Sequence, residues 1–445
     1  MFNFKIEGTL LTILLVSLLF IQGCIDGSIP GTEIIVDRQP AEFEIQEAIW
    51  INWPHVEHKD GYSNEEVMIE VVEAVTAAGQ RVEISAYDEG LMNRAMNLIQ
   101  SQVTNSDLVG YHVIPHYEWW IRDTGPAFVM LESGEMAVVN FRFNAWGYTT
   151  WDDEEVLQDA AFAGELGRYL GMPVIESEMI SEGGNREVNG AGTLMLTAEV
   201  EEGRNPGWTR DEMEREFERV FGVTNVIWLE RGIIDDQHTF LGPLMTHEGV
   251  EAYTVVTTNG HIDEFARFVD ESTILLGYIP EEDLDGDPIA QENHRRMEQN
   301  YEILQHARDQ NGNPFNVIRM PLTRSLVYTM NPGDYVYDYI STMEYADGHQ
   351  FPVGDEVHVI AAASYLNFVI TNNVIIGQKY WREGLDPVIR ERDQEAEEIL
   401  RNVFPDRDVV MIDAISVNLG GGGLHCVTIH QPIYNEVGYP YEAEM

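Results

Sequence analysis

The stretch VIAAASYLNFVITNNVIIGQKYWREGLDPVIRERDQEAEEILRNVFPDRDVVMIDA (359–414) contains the pattern that decides the fold class. Residues 359–378 are apolar and rich in β-branched side chains, and the polar pair Asn372-Asn373 predicts a hairpin turn within them. Residues 386–405 have helical periodicity, and RDVVMIDA (407–414) predicts another strand. A hairpin, a helix and a strand in succession predict an α/β fold.

The same alternation extends along the chain from this stretch. Further strands are predicted at RVEISAY (81–87) and MAVVNFRF (136–143). Further helices are predicted at 153–171, 209–222 and 288–312, and several have a Gly just past their ends, as helix C-caps often do. The chain is therefore α/β throughout, but this spacing does not distinguish a doubly wound sheet, a barrel and a propeller.

The N-terminal segment predicts export and lipid attachment. Residues 10–21 form an apolar run, which is shorter than the roughly 20 residues of a membrane span and suits a signal peptide. The sequence Ile21-Gln22-Gly23-Cys24 resembles a lipobox, which implies cleavage before Cys24 and lipid on its sulfur. We expect a lipoprotein signal peptide over 1–23, a tether over 24–38 and a location at the outer face of the cell membrane. The alternative is an uncleaved anchor helix.

The charge of the chain restricts its partners. The net charge is −50, and Lys supplies only three of the 26 basic residues. Such an acidic surface repels phosphate, so nucleic acid is an unlikely ligand. The Lys-poor, acidic balance is typical of adaptation to high salt, where self-repulsion is screened. It also suits small cationic ligands.

Five short stretches carry polar residues where an apolar core would not need them. They are WWIRDTGPAFV (119–129), SEGGN (181–185), GHIDEFARFV (260–269), SYLNF (364–368) and GGGGLHC (420–426). If GHID lies on a strand, His261 and Asp263 face the same side, because side chains two apart do so. The glycines 420–423 are followed by no Lys-Ser or Lys-Thr pair, which excludes a phosphate-binding loop.

These residue types can act together on one kind of substrate. Two carboxylates can hold a planar cation through paired, charge-assisted hydrogen bonds. A cysteine thiolate can attack an electrophilic carbon between them. A histidine can protonate a leaving amine and later deprotonate water. A planar cation with an electrophilic central carbon is a guanidinium.

With four further motifs, the chain resembles the agmatine deiminase and Porphyromonas-type peptidylarginine deiminase family of the guanidine-modifying superfamily, from about residue 39 to the C-terminus. These motifs are QPAEFEIQEAIWINWPH (39–55), FNAWG (143–147), RNP (204–206) and WLERGIIDD (228–236). The resemblance implies a five-bladed, pseudo-symmetric α/β propeller, the pentein fold, in a single catalytic domain over 39–445. It also implies that the protein uses no metal and no cofactor.

The resemblance implies roles for individual residues. Cys426 would attack the guanidinium carbon, ammonia would leave, and water activated by His261 would hydrolyse the amidino-cysteine to a ureido product. Asp123 and Asp263 would hold the guanidinium nitrogens, and Glu182 would help to orient His261. The residues expected to bind the substrate are Asp123, Glu182, Asn185, Asp263 and Gly423.

The chain departs from the family pattern in ways that concern the tail of the substrate. Segments 237–260 and 321–357 are expected insertions, and Arg186 and Glu187 follow the EGGN motif where agmatine deiminases tend to have Ile and His. The residues of the motifs are closer to those of agmatine deiminases, enzymes that make N-carbamoylputrescine for putrescine biosynthesis. Export suits the alternative, a peptidylarginine deiminase making protein citrulline. A non-catalytic guanidinium-binding lipoprotein is the remaining alternative.

The remaining histidines, Trp146 and one acidic segment have less specific sequence contexts. His238 and His247 are expected on the surface of the first insertion, and Trp146 is expected in the core. The segment EEDLDGDPIAQEN (281–293) lacks the Gly and Glu of an EF-hand at the required positions. A nonstandard ion site among Asp283, Asp285 and Asp287 stays open, as does the oligomeric state, with a homodimer among the options.

Overall fold

The strands of the protein group into six sheets in residues 34–154 and 156–433, the part of the chain described by the computed structural model. The strands are β1 (Val36–Arg38), β2 (Gln46–Asn52), β3 (Arg81–Ala86), β4 (Val109–Val113), β5 (Ala127–Leu131), β6 (Met136–Arg142), β7 (Val174–Ile180), β8 (Glu187–Val188), β9 (Thr193–Thr197), β10 (Asn225–Leu229), β11 (Leu244–Met245), β12 (Glu251–Thr254), β13 (Ala266–Phe268), β14 (Thr273–Tyr278), β15 (Asn316–Pro321), β16 (Val327–Met330), β17 (Val357–Ile360), β18 (Val369–Ile370), β19 (Val374–Lys379), β20 (Asp408–Asp413) and β21 (Ile429–Pro432). The helices are α1 (Asn64–Ala77), α2 (Glu89–Gln102), α3 (Ile121–Thr124), α4 (Leu157–Tyr169), α5 (Ala198–Arg204), α6 (Arg210–Phe221), α7 (Pro288–His306), α8 (Tyr335–Ile340), α9 (Pro387–Val403) and α10 (Ile415–Asn418).

Five of these sheets repeat one structural unit. Their strand orders are β21-β2-β3-β4, β1-β5-β6-β7, β10-β9-β8, β13-β14-β15 and β18-β19-β20. In the last of them, β18 pairs antiparallel with β19, α9 crosses over, and β20 returns parallel to β19. Each of the other four contains the same antiparallel pair, crossover helix and parallel strand. The fold is therefore the five-bladed α/β propeller that the resemblance implied.

The stretch 359–414 forms this unit, with one difference from the prediction. The hairpin turns at Asn372-Asn373 between β18 and β19, as expected. Residues 359–368, however, do not extend its first strand: β17 pairs with β12 and β16 in another sheet, and 361–368 is a loop. This loop carries the SYLNF motif. Because its residues are not in a strand, their side chains are not held to one face of a sheet and can point to the centre of the ring.

Apolar faces fix each helix on its blade. Helix α1 buries Val67, Val71, Val72 and Val75 in a core shared with β2 and β3. Removing such a side chain from water contributes about 1.5–3 kcal/mol. The side chain of Ser63 accepts a hydrogen bond from the backbone N–H of Glu66 and so caps the helix.

The two expected insertions combine into the sixth sheet. Segment 237–260 contains β11 and β12, and segment 321–357 contains β16, α8 and the start of β17. Their strand order is β11-β12-β17-β16. Helix α8 is fixed to the loop after β2, because Asp334 accepts hydrogen bonds from the Lys59 ammonium at 3.1 Å and the Asp60 backbone N–H at 2.9 Å.

Two expectations are corrected by the described residues. The tether predicted over 24–38 does not extend to residue 38, because residues 36–38 form strand β1 and pair with β5. Of the three acids considered for an ion, Asp283 pairs with Arg324 and Arg392, and Asp287 caps α7. The signal peptide and Cys24 lie outside the described residues. Among the described helices, none has both the length and the apolarity required to cross a membrane.

Candidate active site

Five polar segments, one from each blade, supply the candidate site. Each comes directly before the first strand of its blade, so the repeat delivers them to equivalent positions around the ring. The residues in these positions are Asp123 before β5, Glu182 before β8, Asp263 before β13, Asn367 before β18 and Cys426 before β21. Residues far apart in sequence therefore meet at the centre.

The thiol of Cys426 lies at the bottom of the pocket and is buried. Its Sγ atom accepts hydrogen bonds from the Asn367 side-chain amide at 3.2 Å and the Gly423 backbone N–H at 3.5 Å. Burial raises the pKa of the thiol well above its usual value, and the carboxylates of Asp263 and Glu264 raise it further. The two donors can stabilise a thiolate, but the empty site favours the thiol until a cation arrives.

His261 lies beside this pocket with its ring held by acids. Its Nε2 is 3.3 Å from a Glu182 carboxylate oxygen, and its Nδ1 is 3.9 Å from an Asp123 oxygen. Burial lowers the pKa of His261, but Asp123 and Glu182 outweigh it and raise the pKa to about 9. The ring is therefore a cation at neutral pH, which suits a general acid that protonates a leaving amine.

Both carboxylate oxygens of Glu182 contact other side chains of the protein. One carboxylate oxygen accepts a hydrogen bond from Arg204 Nε at 2.8 Å, and the other faces His261. Burial raises the pKa of Glu182, but the Arg204 charge and His261 outweigh it and lower the pKa to about 2. This geometry supports the predicted orienting role, while direct substrate binding by Glu182 stays a prediction.

Asp123 and Asp263 both approach the space beside Gly184, where His261 Nδ1 also lies. Asp123 accepts hydrogen bonds from the Trp146 indole N–H at 2.7 Å and the Gly184 backbone N–H at 2.8 Å, and burial raises its pKa. Asp263 Oδ2 bonds to His425 Nδ1 at 2.7 Å, while its Oδ1 is buried without a hydrogen bond. Burial raises the pKa of Asp263, but the His425 bond and charge outweigh it, and the carboxylate is favoured.

The GHID motif is not on a strand, contrary to one expectation. Residues 262–264 form a 3₁₀ turn, preceded by Asn259 with φ of 72° and Gly260 with φ of 105°. Asp236 fixes this turn by accepting hydrogen bonds from the backbone N–H groups of Gly260 at 2.7 Å and His261 at 3.0 Å. The left-handed backbone before the turn, rather than a strand pleat, directs His261 and Asp263 into the site.

Asn185 and Gly423, the other predicted substrate contacts, have close protein neighbours. The Asn185 amide bonds to the Thr197 backbone and to the Glu201 carboxylate at 2.9 Å. At Gly423, a Cβ atom would come within 2.5 Å of both the Asn367 and the Gln378 side chains. Both residues therefore shape the walls, and their contact with substrate stays a prediction.

Sequence reasoning missed several residues of the site. Glu264 follows the GHID motif directly, and its carboxyl oxygen lies 3.8 Å from Cys426 Sγ. His425 and Asn367 were inside quoted motifs but had no assigned role. His238, expected on the surface, is buried and bonds to the Trp146 carbonyl at 2.8 Å. The signal that identifies Glu264 and Asn367 is their position before the first strand of a blade.

The Glu42 carboxylate contacts residues that neighbour Asp123, Asp263 and Cys426 in sequence. Its carboxylate contacts Arg122 at 2.5 Å, Arg267 at 2.8 Å and His425 at 3.0 Å. Arg122 and His425 directly precede Asp123 and Cys426 in sequence, and Arg267 lies four residues after Asp263. The QPAEFE motif thus supplies one partly buried anion that braces the catalytic segments.

Two groups of side chains have the spacing of metal ligands. They are Glu42, Glu187 and His425, and Asp263, Glu264 and Cys426, each with candidate ligand atoms within 4.8 Å of one another. Arginine or imidazole groups already bond to Glu42, Glu187 and Asp263. These networks fit hydrogen-bonded acids better than a metal centre, and the expectation of a metal-free enzyme stays a prediction.

The pocket opens from Cys426 past aromatic side chains to the insertion sheet. Trp120 and Trp146 line its depth, and Glu118 lies among the residues of its wall. Tyr335 and Tyr339, both from α8, contribute to the outer part, together with Val256 from the first insertion. The insertions therefore form part of the mouth of the pocket.

Gly184 offers a direct test of this geometry. A methyl group there would overlap the His261 ring and would lie 3.1 Å from Asp123 Oδ1. Because small misplacements of reacting groups are costly, we expect Gly184→Ala to lower kcat/KM for the substrate at least about 100-fold. Gly203→Ala is the matched control, since nothing lies within 4 Å of its Cβ position. Equal activity of both variants would contradict the assigned site.

Known proteins share the motifs and the fold of this chain. The model of the family described as Porphyromonas-type peptidyl-arginine deiminase matches residues 38–241 and 244–432. An agmatine deiminase of Stutzerimonas stutzeri is 32% identical over 327 residues, 70% of this chain and 74% of the relative. One from Pseudomonas aeruginosa (strain LESB58) is 29% identical over 408 residues, 89% of this chain and 95% of the relative. The structure of Enterococcus faecalis agmatine deiminase has a TM-score of 0.68 at 24% identity and covers 89% of this chain and 95% of its own.

Proposed function

Because this chain belongs to the Porphyromonas-type peptidyl-arginine deiminase family, we propose that it hydrolyses agmatine to N-carbamoylputrescine and ammonia. The observation that carries the proposal is a buried cysteine beside the Asp263 carboxylate, with His261 held close to Asp123 in the same cluster. The similarity to agmatine deiminases over 89% of the chain supports the same reaction. This set of groups can hydrolyse a guanidino C–N bond through a covalent cysteine intermediate.

The first half of the reaction forms a covalent intermediate. The guanidinium cation lies between Asp123 and Asp263, and its charge favours loss of the Cys426 proton. The thiolate adds to the guanidinium carbon. His261 donates its proton to one nitrogen, which leaves as ammonia, and an amidino-cysteine remains.

The second half reverses the role of His261. The ring, now neutral, accepts a proton from a water molecule that adds to the same carbon. The hydroxyl proton of the adduct then passes to solvent as the C–S bond breaks, which restores the thiolate and forms the neutral ureido group of the product. Glu182 keeps one ring nitrogen of His261 oriented through both halves, because Arg204 holds the carboxylate in place.

The pH dependence follows from the two raised pKa values. Below about pH 9 the empty site holds a thiol and an imidazolium, so it must lose a proton to reach the reactive thiolate–imidazolium pair. We expect kcat/KM for agmatine to rise by about tenfold per pH unit towards pH 9 and then to flatten. Initial rates of ammonia release from pH 5 to 10 measure this; a flat profile below pH 9 contradicts the roles of Cys426 and His261.

The wall of the pocket supports agmatine over related substrates. Glu118 lies in the pocket wall, where its carboxylate can face the terminal ammonium of agmatine but would repel the carboxylate of free arginine. Burial raises the pKa of Glu118 to about 8, and an ammonium nearby would favour its ionised form. Tyr335 and Tyr339 from α8 narrow the mouth, which disfavours an arginine inside a polypeptide.

The N-terminus supports a location outside the cytoplasm. We propose that the chain is exported and held at the outer face of the cell membrane by lipid on Cys24. The support is the lipobox-like sequence after a short apolar run. A Cys24→Ser chain should lose incorporated fatty acid and leave the membrane fraction. Unchanged membrane retention would favour an uncleaved anchor.

A substrate comparison tests the proposed function. The purified protein, in high salt, receives agmatine, free arginine and a peptide with an internal arginine, and ammonia release is measured. Release mainly from agmatine supports the proposal. Preference for the peptide would identify a peptidylarginine deiminase instead. Binding without release from any of the three would identify a guanidinium-binding protein.

A further inference from the structure

Glu264 is a buried acid beside the nucleophile that the reaction scheme above does not use. It is 2% exposed and follows Asp263 on the 3₁₀ turn. Its Oε1 accepts a hydrogen bond from the Asn367 side-chain amide at 2.9 Å and lies 3.8 Å from Cys426 Sγ. Its Oε2 is buried and has no hydrogen-bond partner among the described residues. A buried polar atom of this kind requires an explanation.

The charges around Glu264 differ from those around Asp263. Asp263 has the ring of His425 as a partner at 2.7 Å. Glu264 instead faces the carboxyls of Asp263, Asp235 and Asp236, the Cys426 thiol and the hydroxyl of Tyr380. Burial raises the pKa of Glu264 well above its usual value, and the neighbouring carboxylates raise it further. Two adjacent buried carboxyls rarely both ionise, so Glu264 keeps its proton in the empty site.

Glu264 Oε2 and Asp263 Oδ1 are both buried without hydrogen bonds, on adjacent residues near the nucleophile. A guanidinium presents several N–H donors in one plane, and carboxylate oxygens are their preferred acceptors. We propose that Glu264 is a third guanidinium-binding acid, which holds a proton in the empty site and releases it when the substrate cation binds. This inference rests on the proposed function.

The exchange balances in charge. As the substrate brings one positive charge into the pocket, the Glu264 O–H bond breaks, the proton passes to solvent, and the carboxylate accepts a substrate N–H. The ureido group of the product is neutral and offers no such compensation beside Glu264. Glu264 therefore takes up a proton again when the product forms, which weakens its hold on the product and assists release.

Calorimetry of the Cys426→Ala chain tests the exchange without turnover. The probe is methylguanidine, which has no ammonium tail and so does not involve Glu118. Titrations in two buffers of different ionisation enthalpy give the number of protons released on binding. We expect the Cys426→Ala chain to release about one proton more than the Cys426→Ala/Glu264→Gln chain at neutral pH. For each unit by which the pH rises, the affinity of the Cys426→Ala chain for methylguanidine should increase by up to about tenfold more than that of the Cys426→Ala/Glu264→Gln chain.

Glu201 provides the matched control. It is also a fully buried acid, burial raises its pKa to about 7, and its carboxylate bonds to Asn185. Its side-chain partner is Asn185, whereas Glu264 lies beside Cys426, so Cys426→Ala/Glu201→Gln should release as many protons as Cys426→Ala. Infrared spectroscopy gives a second readout: the protonated-carboxyl band that is present in Cys426→Ala and absent from Cys426→Ala/Glu264→Gln should disappear when methylguanidine binds.

The outcomes separate this inference from the proposed function. Equal proton counts with and without Glu264, or a persistent protonated-carboxyl band, overturn the role of Glu264 even if the wild type hydrolyses agmatine. Absence of both turnover by the wild type and methylguanidine binding overturns the proposed function and this inference together.

Discussion

Replacing Cys426 with alanine should lower ammonia release from agmatine by at least about four orders of magnitude, because no other described group can form the covalent intermediate. Asn367 and Gly423 lose only a hydrogen-bond acceptor in this variant. The carboxylates that would hold the guanidinium remain in place. Agmatine should therefore still bind, with an affinity within about tenfold of the wild type.

Two measurements on Cys426→Ala distinguish a lost nucleophile from a lost fold. Ammonia release gives the rate, and calorimetry with agmatine gives the affinity. Intact binding without turnover is the expected combination. Residual turnover within about tenfold of the wild type would show that another group attacks the guanidinium, and the assignment of Cys426 would be wrong.

Replacing Arg267 with methionine should have the largest effect on stability. Arg267 is fully buried, and its guanidinium bonds to Glu187 at 2.5 Å, to Glu42 at 2.8 Å and to two backbone carbonyls. Methionine fills similar space but removes one donor from each of two carboxylates and from two carbonyls, while Glu42 keeps Arg122 and His425 and Glu187 keeps the Phe268 backbone N–H. Breaking a buried ion pair in this way lowers the free energy of unfolding by about 3–5 kcal/mol.

Denaturant unfolding of Arg267→Met, followed by two spectroscopic probes, measures this loss. Arg295→Met is the matched control, because Arg295 pairs with Glu292 on the exposed face of α7. The control should change the free energy of unfolding by less than about 1 kcal/mol. Similar unfolding midpoints for both variants would mean that the buried network contributes little.

Local sequence patterns predicted the elements of the fold better than their arrangement. The periodic stretch 386–405 became α9, and the turn at Asn372-Asn373 formed as expected, because both depend on neighbouring residues. The number of blades depends on contacts between distant segments, so it came from the family resemblance rather than from spacing. The same holds for the insertions, whose strands pair with each other across more than a hundred residues.

Some residues of the candidate site were likewise predictable from local motifs, and others were not. The motifs contained Cys426, His261, Asp263 and Asp123, and the structure brings all four together. Glu264 received no role from the sequence, because its burial and its unpartnered Oε2 depend on contacts with distant segments. His238 was misplaced because a histidine in an insertion gives no indication of burial. The anion of Glu42 could not be linked to the site, since its partners lie in three different blades.

The first blade contains strands from opposite ends of the described chain. Strand β21 follows Cys426 and pairs with β2, for example Ile429 with Trp50. During synthesis, a chain that has reached only β20 has four of the five central segments but neither the thiol nor the strand that closes the ring. Such a chain is chemically inert towards guanidines. The site therefore acquires its nucleophile only when synthesis has passed Cys426, and the ring closes only when β21 pairs with β2.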